Sequence, residues 1–153
     1  MTIEERLRAQ GLELPPPPTP KGAYLPVVLH GNTAWVSGML PLRRGELLAK
    51  GLVGSDVTVE RAREAAREAG LNALSALRAA LGSLDRVERV LRVAVYVASA
   101  PGFTSQPDVA NGVSELLIEL LGDPGRHARV ALGAARLPLD APVEVEMAVA
   151  VRP

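Results

Sequence analysis

The chain has 153 residues, 48% hydrophobic and 22% charged, with 17 basic side chains balanced by 17 acidic ones. That length suits one domain burying roughly two-thirds of its unfolded surface, and zero net charge with only 3% aromatic residues argues against nucleic acid as a partner. The absence of cysteine excludes disulfides, thiolate metal sites and a cysteine nucleophile, and the two histidines are too few for a histidine-rich metal site.

No apolar run approaches the length of a membrane span, and MTIEERLRAQ has no apolar leader core, so a cytoplasmic location is expected. Thr2 to Gln10 reads as a short helix with Thr2 as its cap. Pro15 to Pro18 and Thr19-Pro20 must be extended, which reads as an arm laid against the domain body. Residues 1–21 therefore form a helix and proline-rich arm, and 22–153 a single domain.

A first strand is expected over Leu25 to Leu29, a turn at His30-Gly31-Asn32, and a second strand over Thr33 to Ser37 pairing with the first. A short third strand is expected over Leu47 to Val53. Asp56 or Thr58 then caps a long helix reaching Leu81, with Ala62, Ala66, Ala69, Ala73, Leu77 and Leu81 along one side. Glu60, Arg63, Glu64 and Arg67 form its solvent face, pairing at helical spacing. Val87 to Ala98 is dense in β-branched residues and reads as a central strand. A second helix is expected over Pro107 to Leu121, with Ser105 as cap and Gly122 at its end.

The last stretch reads as a hairpin. Arg129 to Ala135 forms one strand, Pro138 and Pro142 interrupt it, and Val143 to Val151 forms the other. In the closing strand Glu144 and Glu146 share a face opposite Val143, Val145 and Met147. An arginine and two carboxylates beside apolar walls suit a small anion and a water molecule. The same pattern also fits a solvated sheet face in which Arg129 pairs with Glu144 or Glu146. The order ββ(β)αβαββ predicts an α+β fold, a mixed β-sheet with two helices packed on one face. The central strand is apolar on both faces, so the helices leave one apolar face uncovered and a homo-oligomer is expected.

These elements together resemble the RidA family, also called YjgF. The residues that carry the likeness are Val36-Ser37-Gly38 with Leu40-Pro41, Asn111 four positions before Glu115, Ala128-Arg129 followed by Ala135-Arg136-Leu137-Pro138, Val143-Glu144-Val145-Glu146, and Tyr24 after Gly22-Ala23. The likeness spans roughly Gly22 to Arg152. It implies a chorismate-mutase-like fold assembled as a homotrimer, with sites in the clefts between subunits and no cofactor or metal. It also implies deamination of 2-imino or enamino acids to 2-oxo acids and ammonia. Arg129 would bind the substrate carboxylate, Glu144 would handle a water or proton, and Tyr24, Ser37 and Asn111 would line the substrate site. Ala131 stands where the family often has cysteine, and Gly133 where it often has glutamate.

Each residue also has a plainer role. Tyr24 fits an interface aromatic, Ser37 a strand end, Asn111 a local helix bond, and His30 a turn; His127 reads as an exposed turn residue. Three functions follow: an imine deaminase, a non-catalytic trimer binding small carboxylates, and a ribonuclease, against which the charge and aromatic content argue.

Overall fold

In the computed structural model, which describes residues 1–153, Thr2 caps helix α1 (Ile3–Ala9). Its hydroxyl accepts from the Glu5 N–H while the Glu5 carboxylate accepts from the Thr2 N–H, satisfying two otherwise orphaned donors. Strand β1 (Val27–His30) turns through Gly31 into β2 (Thr33–Met39). A two-residue ribbon follows, β3 (Leu42–Arg43) with β4 (Glu46–Leu47). Helix α2 (Val59–Leu81) starts at Thr58, whose hydroxyl accepts from the Arg61 N–H. It stops at Gly82, where φ of 84° favours glycine. Then come β5 (Val87–Ala98), α3 (Gln106–Leu121), β6 (Ala128–Ala134) and β7 (Val143–Val151).

The main sheet has the order β1-β2-β7-β5-β6, antiparallel throughout except for the parallel pair β5–β6. Helices α2 and α3 cover one face, so the architecture is the expected mixed α+β one. Val93, Val95 and Val97 of β5 and Val145, Met147 and Val149 of β7 point into the core. Alanines 62, 66, 69 and 73 of α2 are fully buried there. Small residues also set the distance between the helices: a Cβ on Gly112 of α3 would collide with the Arg63 carbonyl of α2. Arg63 and Arg67 pair across this contact with Glu115 and Glu119 of α3, not within their own helix.

Two expectations fail. The closing hairpin does not form: β6 and β7 lie on opposite sides of β5. Strand β5 is twelve residues long and its second half, Val93 to Ala98, is apolar on both faces, so it takes the interior position. Helix α3 is the crossover that makes β6 parallel to β5. Leu139 and Asp140, at φ of 60° and 63°, then carry the chain past the end of β5 to its other edge. There the Ala98 N–H donates to the Pro142 carbonyl and the Ser99 N–H to that of Ala134. The strand expected over Leu47 to Val53 is also absent. Gly51 and Gly54 bend that segment at φ of 111° and 99°, and Val53 makes only isolated bridges to Val57 and Ser99. Asp56 accepts from the Leu52 N–H in this loop, so Thr58 alone caps α2.

Candidate active site

Register assigns faces, because directly paired residues share one. Glu144 is paired with Tyr96 and Glu146 with Ala94, which puts both carboxylates on the sheet face away from the helices. Glu146 is engaged: it accepts from the Tyr96 hydroxyl at 2.6 Å and lies 3.9 Å from Arg92. Glu144 has neither kind of partner. Strand β2 bulges between Val36 and Met39, and the Glu144 carboxylate rests against Gly38, where a Cβ would collide with its Oε1. Burial pushes the Glu144 carboxyl above the usual carboxylate range, and the neighbouring charge of Glu146 adds to the effect.

Glu144 faces a cavity of about 640 Å³. Its walls include Pro15, Pro18 and Pro20 of the arm, Tyr24, and Leu139 from the turn before β7. The arm is fastened to α2, where the Ser75 hydroxyl donates to the Pro15 carbonyl at 2.5 Å. The opposite wall is fastened to the same helix. Asn72 donates from Nδ2 to the Leu40 and Leu42 carbonyls, and Arg43 donates to buried Glu68 at 2.9 Å. Glu68, Asn72 and Ser75 fall at i, i+4 and i+7, a polar stripe on the buried side of an otherwise apolar helix.

Arg129 lies elsewhere. Its register partner is Val93, so its side chain is on the helix face of edge strand β6. There Nη1 donates to Asn111 Oδ1 at 2.8 Å and to Ser114 Oγ at 3.2 Å. Behind Ser114 stands His127. Its Nδ1 is 2.6 Å from the Gly125 carbonyl, which can only accept, so the proton is on Nδ1 and Nε2 accepts from Ser114 Oγ at 2.9 Å. Burial pushes the His127 imidazole below its ordinary value of 6.5, and the Arg129 charge presses the same way. A neutral His127 and a doubly anchored Arg129 are thus mutually consistent.

The expected site residues therefore fall into two groups within one chain. Tyr24 and Glu144 share the cavity; Asn111 and Arg129 are hydrogen-bonded on the other side of the sheet. Arg129 makes no ion pair with Glu144 or Glu146. Ser37 donates to the Leu25 carbonyl at 2.6 Å and fixes the strand entry. His127 is half-buried, not exposed, because Gly125 and Ser114 hold it. Ser114 and His127 escaped the sequence reading as supports of Arg129, although Asn111 and Ser114, three apart on α3, share a helical face. At Gly133 a side chain would meet Ser99 and Gln106, and the Gln106 amide, bonded to Ser99 Oγ at 3.1 Å, occupies that polar corner.

A sequence model of the family described as "YjgF/chorismate_mutase-like, putative endoribonuclease" matches residues 4–149. Protein TCP17 of Trypanosoma cruzi is 41% identical over 145 residues, covering 94% of this chain and 91% of its own. The crystal structure of Atu1372 from Agrobacterium tumefaciens, a protein of unknown function, is 42% identical with a TM-score of 0.91, covering 98% of this chain and 92% of that one. A structure from Shewanella oneidensis MR-1 named a putative endoribonuclease is 34% identical with a TM-score of 0.95, over 99% of this chain and 100% of that one.

Proposed function

The chain belongs to the YjgF/chorismate-mutase-like family, and on that premise we propose that it hydrolyses reactive 2-imino or enamino acids to 2-oxo acids and ammonia in a cleft between subunits. The observation that carries this reading is Glu144, a half-buried carboxyl without a partner, raised in pKa and open to a cavity. A carboxyl raised by burial holds and returns a proton more readily than one at the ordinary carboxylate value.

Water adds to the carbon of the protonated imine, and Glu144 accepts a proton from it. The resulting carbinolamine receives that proton on nitrogen; as the C–N bond breaks, the hydroxyl gives its proton to the Glu144 carboxylate, the C=O bond forms, and ammonia leaves the 2-oxo acid. Arg129 holds the substrate carboxylate. Its Nη1 is anchored on Asn111 and Ser114, which leaves the other guanidinium donors for a charge-assisted contact worth roughly 1.5–3 kcal/mol. Tyr24 forms part of the wall beside Glu144.

Arg129 and Glu144 are on opposite faces of one sheet, so a site containing both draws them from two subunits. The uncovered sheet face supports an oligomer, which we take to be a trimer: Val28, Trp35 and Leu132 are 47%, 56% and 46% exposed on it.

The test is ammonia release from 2-imino acids generated in place by an amino-acid oxidase. The intact protein accelerates it, and Arg129→Ala and Glu144→Gln each lower kcat/KM by about 100-fold or more. Binding of 2-oxo acids without any acceleration would leave a carboxylate-binding protein instead. The endoribonuclease name of the Shewanella relative has little support in a chain of zero net charge and 3% aromatic residues.

A further inference from the structure

We infer that the substrates of this site carry a large apolar side chain, aromatic or branched, and that the proline-rich arm is the specificity element that selects it. The inference rests on the deaminase reading of Glu144 but follows from a separate observation, the size and lining of the cavity that Glu144 faces.

That cavity measures about 640 Å³. At ~30 Å³ of liquid volume per water-sized atom, an imino acid of about six non-hydrogen atoms, such as 2-iminopropanoate, fills roughly a quarter to a third of it. A small substrate would leave most of this one-subunit cavity to water beside Glu144. A reactive imine also gains nothing from a roomy apolar site unless its own side chain fills the space. The lining matches such a side chain. Pro15, Pro18 and Pro20 present rigid ring faces, and Tyr24, Met39, Leu40 and Leu139 extend a mainly apolar wall in which Glu144, Lys21 and Arg44 are the charged groups. A flat aromatic ring has a large area to lay against proline rings and Tyr24. The wall is also held in place rather than merely adjacent, because Ser75 fixes Pro15 and Asn72 fixes Leu40 and Leu42, both from rigid helix α2. Preorganised apolar walls discriminate side chains by about 10- to 200-fold per methylene at best.

The experiment compares three imines made in place from alanine, leucine and phenylalanine, alongside calorimetric binding of the three matching 2-oxo acids to the full-length protein. The expected order of kcat/KM, and of affinity, is phenylalanine-derived, then leucine-derived, then alanine-derived, with at least tenfold between the extremes. The variant Leu139→Trp narrows the cavity from an exposed turn position (Leu139 is 59% exposed). It is expected to lower the ratio of the phenylalanine-derived to the alanine-derived kcat/KM about tenfold. Equal rates for all three imines, or a preference for the smallest, would overturn the size selection while leaving the deaminase reading intact. Loss of all turnover with the binding order preserved would overturn the deaminase reading and keep the cavity's preference. Equal or absent binding of the three 2-oxo acids, unaltered by Leu139→Trp, would overturn the inference outright.

Discussion

Two residues define the chemistry through their surroundings. Glu144 is kept above the usual carboxylate range chiefly by burial and secondarily by Glu146, so its ionised form is the costly one in the folded protein. A raised folded pKa means that stability declines as the pH rises through it and the charge must form. Glu144→Gln removes that charge at the same shape. It is expected to raise the urea midpoint at pH 7 by the equivalent of less than about 1 kcal/mol, since the carboxylate is half exposed and screened, while abolishing ammonia release. A gain in stability paired with a loss of activity separates a functional carboxylate from a structural one, whose loss would lower both. His127 has the opposite sign. Its pKa is depressed by burial, so the folded state resists protonation, and stability is full above the ordinary value of about 6.5 and falls as the pH drops from there toward the folded value. Protonation also turns Nε2 from acceptor to donor and ends its bond from the Ser114 hydroxyl, beside a cation already there. Urea midpoints taken at intervals between about pH 7.5 and 5 should decline more steeply for the parent protein than for His127→Ala. Parallel curves would remove His127 from the Arg129 support.

At the scale of elements, α2 does two tasks with two sides. Its alanines pack on the sheet, and Glu68, Asn72 and Ser75 hold the ribbon and the arm that wall the cavity. Asn72→Ala leaves the Leu40 and Leu42 carbonyls without their donor and is expected to cost about 1–3 kcal/mol in chemical denaturation. Arg61→Ala, which removes an exposed pair with Glu64 and a solvent-exposed bond to the Leu48 carbonyl, should cost less, within about 1 kcal/mol. The contrast shows what the sequence makes legible. Helix α2 is readable from Asp56 or Thr58 to Leu81 because capping and apolar periodicity are local signals, and β5 is readable from its β-branched run. The polar stripe at i, i+4 and i+7 was equally visible as letters but has meaning only once the ribbon and arm lie against it. The false hairpin has the same origin. Strands of matching pattern close in sequence read as partners, and only the length and two-sided apolarity of β5 decide that it comes between them. Arg129 and Glu144 are therefore legible in the sequence as candidate residues while their separation is not, since which face a strand presents depends on its neighbours in the sheet.

At the scale of the molecule, that separation becomes a prediction about assembly. The guanidinium of Arg129 is bonded to α3 on the helix side of edge strand β6, and Glu144 opens from β7 on the other face. No rotamer change moves either through the sheet. If one substrate meets both, each site takes its arginine from one subunit and its glutamate from the next. In a cyclic trimer every subunit then contributes to two sites. On the proposed reading Arg129→Ala and Glu144→Gln proteins are each expected to be inactive, because every site in either homotrimer would lack one group. Unfolding the two together in equal amounts and refolding them forms mixed trimers. In a random mixture a site regains both groups when the arginine donor carries the Glu144 change and the glutamate donor carries the Arg129 change, which happens in about one site in four. Ammonia release should recover to about a quarter of the parent rate and return to zero when the two variants are refolded separately and then mixed. Were both groups supplied by one chain, every site in every mixed trimer would still lack one of them, and no mixing protocol would restore activity. Recovery near one quarter thus ties the uncovered apolar face, the edge position of β6 and the misplaced hairpin to one cause, a catalytic pair divided between two copies of the chain.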